Sequence, residues 1–158
     1  MSFRTTSKSG DDGLKAVLQR VSQASVEAGG QIVGSIGRGY LVFLGIAEGD
    51  SKQQAEKMAE KIRKLRIFSD ENGKTNLSSE DINGDILIIS QFTLYADCNK
   101  GNRPSFAKAG NPVFAKELYE YFVEISRGKF RKAEHGSFGA HMNVSLVNDG
   151  PFTVILDA

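Results

Sequence analysis

Hydrophobic and polar positions along this chain fall into strand-like and helix-like periods in a definite order. Lys15–Val21 and Ala24–Ala28 are rich in β-forming residues, and Gly29-Gly30 supplies a tight turn into Gln31–Ile36. Gly37-Arg38-Gly39 interrupts the chain before Tyr40–Ile46, a run that is apolar throughout, as expected of a strand covered on both faces. Ser51 followed by Gln54 makes a capping box, in which hydroxyl and amide each satisfy a free donor at a helix start. Ala55, Met58, Ala59, Ile62 and Leu65 then share one helical face, with Lys and Glu opposite. A turn at Asp70-Glu71-Asn72-Gly73 follows the short apolar piece Leu65–Phe68. Asp85–Phe92 reads as a second nearly continuous apolar strand. Asn111-Pro112 pairs a good cap with a proline at the first helical position, and Ala115, Leu118, Phe122 and Ile125 give this second helix its buried stripe. Met142, Val144 and Leu146 alternate with Asn143 and Ser145, Asn148–Pro151 breaks the run, and Phe152–Leu156 resumes it. The predicted fold is a single α/β domain: a mixed β-sheet or partly closed barrel with two principal helices.

Residues 1–14 stand apart. They are rich in Ser, Thr, Gly and Asp without periodicity, and read as a disordered tail or a remnant of cloning, leaving 15–158 as the domain. Asp11 and Asp12 and the lack of an apolar stretch count against a targeting sequence there. The 158-residue length suits one domain with its own core. No apolar run approaches the roughly 20 residues of a membrane-crossing helix, so no membrane partner is expected. A single cysteine, Cys98, rules out an intrachain disulfide and fits a reducing, cytoplasmic setting. The net charge of +1 argues against a protein that coats nucleic acid, yet leaves room for a local contact with an RNA end.

Side-chain bases are scarce. His135 and His141 are the two imidazoles, and neither accompanies a Gly-x-Ser-x-Gly elbow or a His-Glu-x-x-His helix. His141 falls on the polar side of an alternating strand, as an exposed or satisfied histidine does. Cys98 lies in a polar loop with no histidine beside it in sequence, which reads as an incidental thiol. No Cys-x-x-Cys pair or other ligand spacing is present, so neither metal nor cofactor is expected.

Two segments carry candidate chemistry. In Ser90-Gln91-Phe92-Thr93-Leu94 a buried strand ends in polar side chains around one aromatic, the place where an α/β sheet opens a crevice. Phe92 either stacks on a nucleobase or belongs to the core. In Asn148-Asp149-Gly150-Pro151-Phe152-Thr153, Asp-Gly between two β segments reads as a hairpin turn. Pro151 complicates that turn, because proline donates nothing to a ladder and a Gly-Pro bond adopts cis at modest cost. A cis bond turns neighbouring carbonyls in a direction that a trans chain cannot, and fixed backbone acceptors would suit a substrate amine.

Taken in order, several segments resemble the D-aminoacyl-tRNA deacylases. They are Ala16–Val21, Arg66–Asp70, Ser90–Leu94 with Ala96-Asp97, Gly101–Phe106, Phe138–Ala140 and Val144–Pro151. The resemblance runs from about Lys15 to the C-terminus. It implies a homodimer that binds the aminoacyl-tRNA 3′ end and hydrolyses the ester joining a D-amino acid to the terminal adenosine. It assigns the catalytic pocket to Ser90, Gln91, Phe92 and Thr93, and a chiral gate from the partner chain to a cis Gly150-Pro151. Carbonyls near Gly150 would hold the α-amino group so that an L side chain collides with the backbone. Glycine would pass, making glycine on alanine tRNA a second expected substrate. The ribose hydroxyl of the substrate assists attack in this family, and Thr93 is then a positioning residue. Backbone N–H groups near Phe92 and Thr93 are the expected oxyanion donors. The alternatives are a catalytically silent relative that binds tRNA ends and a small structural or ligand-binding α/β dimer; intact Ser90–Thr93 and Gly150-Pro151 favour the enzyme, since a silent relative would have less reason to keep both.

Overall fold

The computed structural model describes residues 13–158. Most of the expected tail therefore lies outside the described residues. Leu14 does not behave as tail: it is fully buried in the core, and its carbonyl accepts from the N–H of Ala158 at 2.8 Å.

The sheet is built around one long strand. β1 (Lys15–Ala28) runs antiparallel to β3 (Gly39–Gly45) through its first half and to β2 (Gln31–Ile36) through its second. Along its other edge β1 pairs with β8 (Asn143–Asp157), so Lys15 faces both Gly45 and Asp157. β3 pairs in parallel with β6 (Asp85–Ser90), and β6 in parallel with β7 (Ala133–His135). The sheet curls until β2 returns towards the far strands. A Cβ placed on Gly34 would sit 3.0 Å from the His135 carbonyl oxygen and 3.1 Å from Leu87, so glycine permits this closure. The mixed, nearly closed sheet with two helices is the architecture expected from the sequence.

Its central strands are apolar on both faces because both faces are covered. Leu18, Tyr40, Val42, Leu44, Ile86 and Ile88 pack against the helices α1 (Lys52–Lys64) and α2 (Pro112–Arg127). Val21, Val26, Ile36, Leu41, Leu87 and Ile89 fill the inside of the curled sheet. Each such large side chain contributes roughly 1.5–3 kcal/mol on burial. Ser51 caps α1 in the expected box, with Ser51 N donating to Gln54 Oε1 at 2.8 Å and Gln54 N to Ser51 Oγ at 3.3 Å. Asn111 caps α2, its side chain accepting from Val113 N at 2.9 Å, with Pro112 opening the first turn.

Several boundaries differ from the sequence expectation. Lys15–Val21 and Ala24–Ala28 are one strand, because β8 pairs along both parts and bridges the irregularity between them. The strand expected over Asp85–Phe92 stops at Ser90, where the chain enters one turn of 3-10 helix, Phe92–Tyr95. Leu65 is the C-cap of α1, with extended backbone, although it still packs on the core. The small hairpin of β4 (Phe68–Ser69) and β5 (Thr75–Leu77), and the short β7, have too few residues to show a period.

The largest correction concerns the C-terminal segments. Asp149-Gly150 is not a hairpin turn: the chain passes straight through as β8, and both halves pair with β1. Val21 pairs with Asn148 and Gln19 with Thr153, so Arg20 alone faces residues 149–152, which bulge out of the ladder. The Gly150-Pro151 bond is cis, as expected. Pro151 has no N–H for the ladder, and the bulge removes the need for one.

Candidate active site

The end of β6 creates the crevice. Gln91 N donates to the Leu44 carbonyl at 2.8 Å, the last sheet-like contact before the 3-10 turn. Gly45 lies beneath this turn, where a Cβ would meet the Tyr95 ring at 2.9 Å and Leu94 Cβ at 3.3 Å. Tyr95 locks the turn down: its buried hydroxyl lies 2.8 Å from the Gly45 carbonyl and also reaches that of Gly13. Burial, helped by the carboxylates of Asp50 and Asp157, holds this phenol well above its ordinary range and therefore neutral.

With Tyr95 turned inward, Phe92 and Thr93 turn out. Phe92 is 57% exposed, which removes the core reading of this ring. Its aromatic contact is with Phe106, edge-on at 5.1 Å between centroids. Ser90 and Gln91 are half-buried, and the Gln91 side-chain amide donates to the Thr93 hydroxyl.

Ser90, Gln91, Phe92 and Phe106 form one side of a cleft of about 580 Å3, floored by Ile46, Ile89 and Ala115. Such a volume suits a small-molecule site. Phe138, Gly139, Ala140, His141 and Met142 form the opposite side. That wall sits close because Gly136 has no side chain: a Cβ there would be 2.5 Å from Met142 Sδ. Phe138 rests on Tyr119 at 5.8 Å, and the Tyr119 hydroxyl donates to the Ile88 carbonyl at 2.8 Å, tying α2 to the strand that ends in Ser90. Burial raises the Tyr119 phenol well above its ordinary range.

His141 is exposed, as expected, but not where the alternation placed it. It precedes β8 instead of lying on its polar side, and it is exposed at the cleft wall. His135 is half-buried on β7, with Nδ1 2.8 Å from the Gly136 carbonyl oxygen. Cys98 is an exposed free thiol, in keeping with the sequence reading.

Gly150 and Pro151 are exposed on β8 and do not line this cleft. Their bulge is nonetheless tightly held. Asn148 Oδ1 accepts from Phe152 N at 2.8 Å, and its amide donates to the Phe152 carbonyl at 3.2 Å, taking the place of ladder bonds. The 8% exposed Arg20 donates from Nε to the Asp149 carbonyl at 2.7 Å and from Nη1 to the Ile67 carbonyl at 2.6 Å. Its guanidinium also lies 4.6 Å from the centre of the Phe152 ring. A Cβ on Gly150 would meet Phe152 N at 2.3 Å, so the bulge as built accepts glycine there and no larger residue.

Ser90, Gln91 and Phe92 share one cleft and Thr93 follows them outside its lining, while the sequence reading assigned no role to Arg20, Phe106, Phe138 or Met142. A signal existed for Arg20, an arginine inside an otherwise apolar run on the core side of a strand. Phe106 and Phe138 lie within segments that carried the resemblance, yet spacing alone does not show that they face each other across a cleft.

Residues 17–157 match the family model described as D-Tyr-tRNA(Tyr) deacylase. The chain is 56% identical over 145 residues to the D-aminoacyl-tRNA deacylase of Thermosipho africanus, covering 92% of this chain and 97% of that protein. It is 54% identical over 144 residues to the D-aminoacyl-tRNA deacylase of Lactobacillus gasseri, covering 91% of this chain and 99% of the relative. Among solved structures it is similar to one titled "c-Myc DNA Unwinding Element Binding Protein", at TM-score 0.84 and 43% identity over 91% of this chain and 98% of the other. The chain therefore belongs to the D-Tyr-tRNA(Tyr) deacylase family.

Proposed function

We propose that this protein hydrolyses the ester bond of D-aminoacyl-tRNA, releasing the D-amino acid and free tRNA, and that it works as a homodimer. The carrying observation is the family match together with a cleft lined by Ser90, Gln91 and Phe92. In this reading the terminal adenosine stacks on Phe92 and Phe106. The substrate's ribose hydroxyl assists attack on the ester, with Gln91 and Thr93 orienting it. The N–H groups of Phe92 and Thr93 open the 3-10 turn, where no intrahelical acceptor precedes them, and they are suited to a developing oxyanion. Loss of one such donor costs about 3–4 kcal/mol.

The dimer reading rests on the sheet face away from the helices. Ile155, Val17, Phe43 and Ile89 are directly paired across β8, β1, β3 and β6. Exposure falls along this row, from 65% at Ile155 through half-buried Val17 and Phe43 to 2% at Ile89, which lines the cleft. Leu146, 36% exposed and paired with Ala24 of the same face, continues the apolar surface along β8. A second copy laid on this face would cover it, and two-fold symmetry would carry each Gly150-Pro151 into the partner's cleft. The carbonyls of the cis bulge would then hold the α-amino group and exclude L side chains. Glycine has no side chain to exclude, so glycine on alanine tRNA is a second substrate in this proposal.

The test is the hydrolysis rate of D- and L-tyrosyl-tRNA, with glycyl-tRNA of the alanine acceptor alongside. The D ester and the glycyl ester are expected to fall well above buffer controls and the L ester to persist. Loss of the D ester no faster than in buffer would remove the enzyme reading.

A further inference from the structure

Nearly every lysine and arginine among the described residues is engaged by the fold. Arg20, Arg63, Lys64, Arg127, Lys129, Arg131 and Lys132 are in ion pairs, and Arg66 donates to Asn76. Arg38 and Lys52 lie over aromatic rings. Among the described residues four cations have no side-chain partner: Lys74, Lys100, Arg103 and Lys116. Lys74 belongs to the turn before β5, and Lys116 is followed on α2 by the acids Glu117 and Glu120. Lys100 and Arg103 share one exposed loop, which leads three residues on from Arg103 into Phe106 of the cleft wall.

That loop is built to hold its shape. Asp97 and Ser105 close it with two backbone bonds, Asp97 N to the Ser105 carbonyl at 2.7 Å and Ser105 N to the Asp97 carbonyl at 2.9 Å. Gly101 makes the turn with φ of +64°, and Pro104 fixes one further φ near the end. Asp97 is the one acid between residues 97 and 108, and its carboxylate accepts from Asn99 N at 3.0 Å. The residue after Ser105 is Phe106, whose ring meets Phe92. Two unpaired cations are thus fixed to the chain that supplies one wall of the cleft.

We infer that Lys100 and Arg103 bind the backbone phosphates of the single-stranded RNA end just before the terminal nucleoside. This rests on the deacylase reading and deepens it. A nucleoside stacked on Phe92 and Phe106 sits beside the segment that carries this loop, and phosphates are the charges which the preceding RNA carries at every step. With a net charge of +1, the protein gains little from long-range attraction, so two local cations account for a large share of its phosphate affinity.

The experiment compares the wild type with Lys100→Ala/Arg103→Ala and with Lys74→Ala as a cation control. Substrates are D-tyrosyl-tRNA and D-tyrosyl-adenosine, which lacks the preceding phosphates. The double variant is expected to raise KM for the tRNA about tenfold near 0.1 M salt, with kcat unchanged, and to reduce the salt slope of log KM by about 1.4. KM for D-tyrosyl-adenosine and both KM values of Lys74→Ala stay at wild type. The inhibition constant of a short CCA-ended RNA should weaken in step with the tRNA KM, while that of adenosine stays fixed. Wild-type KM and salt slope in the double variant would overturn the inference, and so would an equal rise for both esters, which would make the loop a support of the cleft. Wild-type enzyme inactive on both esters would instead remove the deacylase reading itself.

Discussion

An aromatic ring with 57% of its surface in water, as at Phe92, forgoes much of the roughly 2–3 kcal/mol that burial would give it. Its exposure is a consequence of Tyr95, the inward residue of the same short turn. Phe92→Ala should therefore leave the melting temperature close to wild type while weakening the adenosine end by about 1–3 kcal/mol in binding. An unfolded variant, seen by circular dichroism, would count against this arrangement. The Thr93 hydroxyl accepts from the Gln91 amide and has no imidazole partner among the described residues. Thr93→Ala is expected to lower kcat by less than the loss of a nucleophile does, and rapid quench should trap no acyl-enzyme. An acylated Thr93 recovered from the quench would reverse its role. Phe92 also shows where sequence reading stops. Hydrophobicity marks it equally as core and as platform, and only the direction of a four-residue turn decides between them.

Among the elements, the bulge in β8 depends on one buried cation. Arg20→Met keeps the apolar stem but leaves the carbonyls of Asp149 and Ile67 without their donor, and hydrogen bonds to a charged group contribute about 1.5–3 kcal/mol each. The variant is expected to lose about 2–4 kcal/mol of stability in urea unfolding and, by loosening the bulge, to hydrolyse L-tyrosyl-tRNA faster than wild type. Unchanged L rejection in a folded Arg20→Met would show that the bulge holds without it. The helices and central strands were legible because apolar period, capping box and N1 proline all agree over long spans. The bulge was not: Asp-Gly usually turns a hairpin, and only pairing with a strand some 130 positions earlier, as in Val21 with Asn148, keeps the chain straight here. β7 escaped notice for a related reason, since three residues cannot show alternation and their place comes from parallel pairing with β6.

Three buried phenols set a property of the whole molecule. Burial raises Tyr40, Tyr95 and Tyr119 well above their ordinary value of 10.0, whereas in the unfolded chain they ionise there. Above pH 10 the unfolded state therefore binds fewer protons than the native one, and stability falls as pH rises. The expected slope is about 1.4 kcal/mol per pH unit per tyrosine, about 4 for the three. Urea midpoints measured between pH 9 and 11.5 would test this, and a flat profile would contradict the burial. The proposed homodimer is tested by a mixed assembly. One chain carries a disabled Ser90–Thr93 segment and its partner carries Pro151→Ala. If the gate acts in trans, that mixed dimer keeps D-selective hydrolysis at about half the wild-type rate, since its intact cleft receives the intact bulge. Selectivity like that of the Pro151→Ala homodimer would place the gate within one chain.

The pairing of β1 with β8 also bears on how the molecule comes into being. β1 leaves the ribosome long before β8, the strand that must flank it, and Leu14 waits for Ala158. Until residue 143 has emerged, one edge of a 14-residue strand stands open, a template for wrong pairing, and closing it spans nearly the whole chain. Slow folding that commits late is the expected consequence. Gly150 and Pro151 arrive with that closing strand. A chain cut short before it would lack the proposed gate and the cover of β1 together, so a truncated product is expected to fail to fold and not to persist as a hydrolase that cannot tell one mirror image from the other.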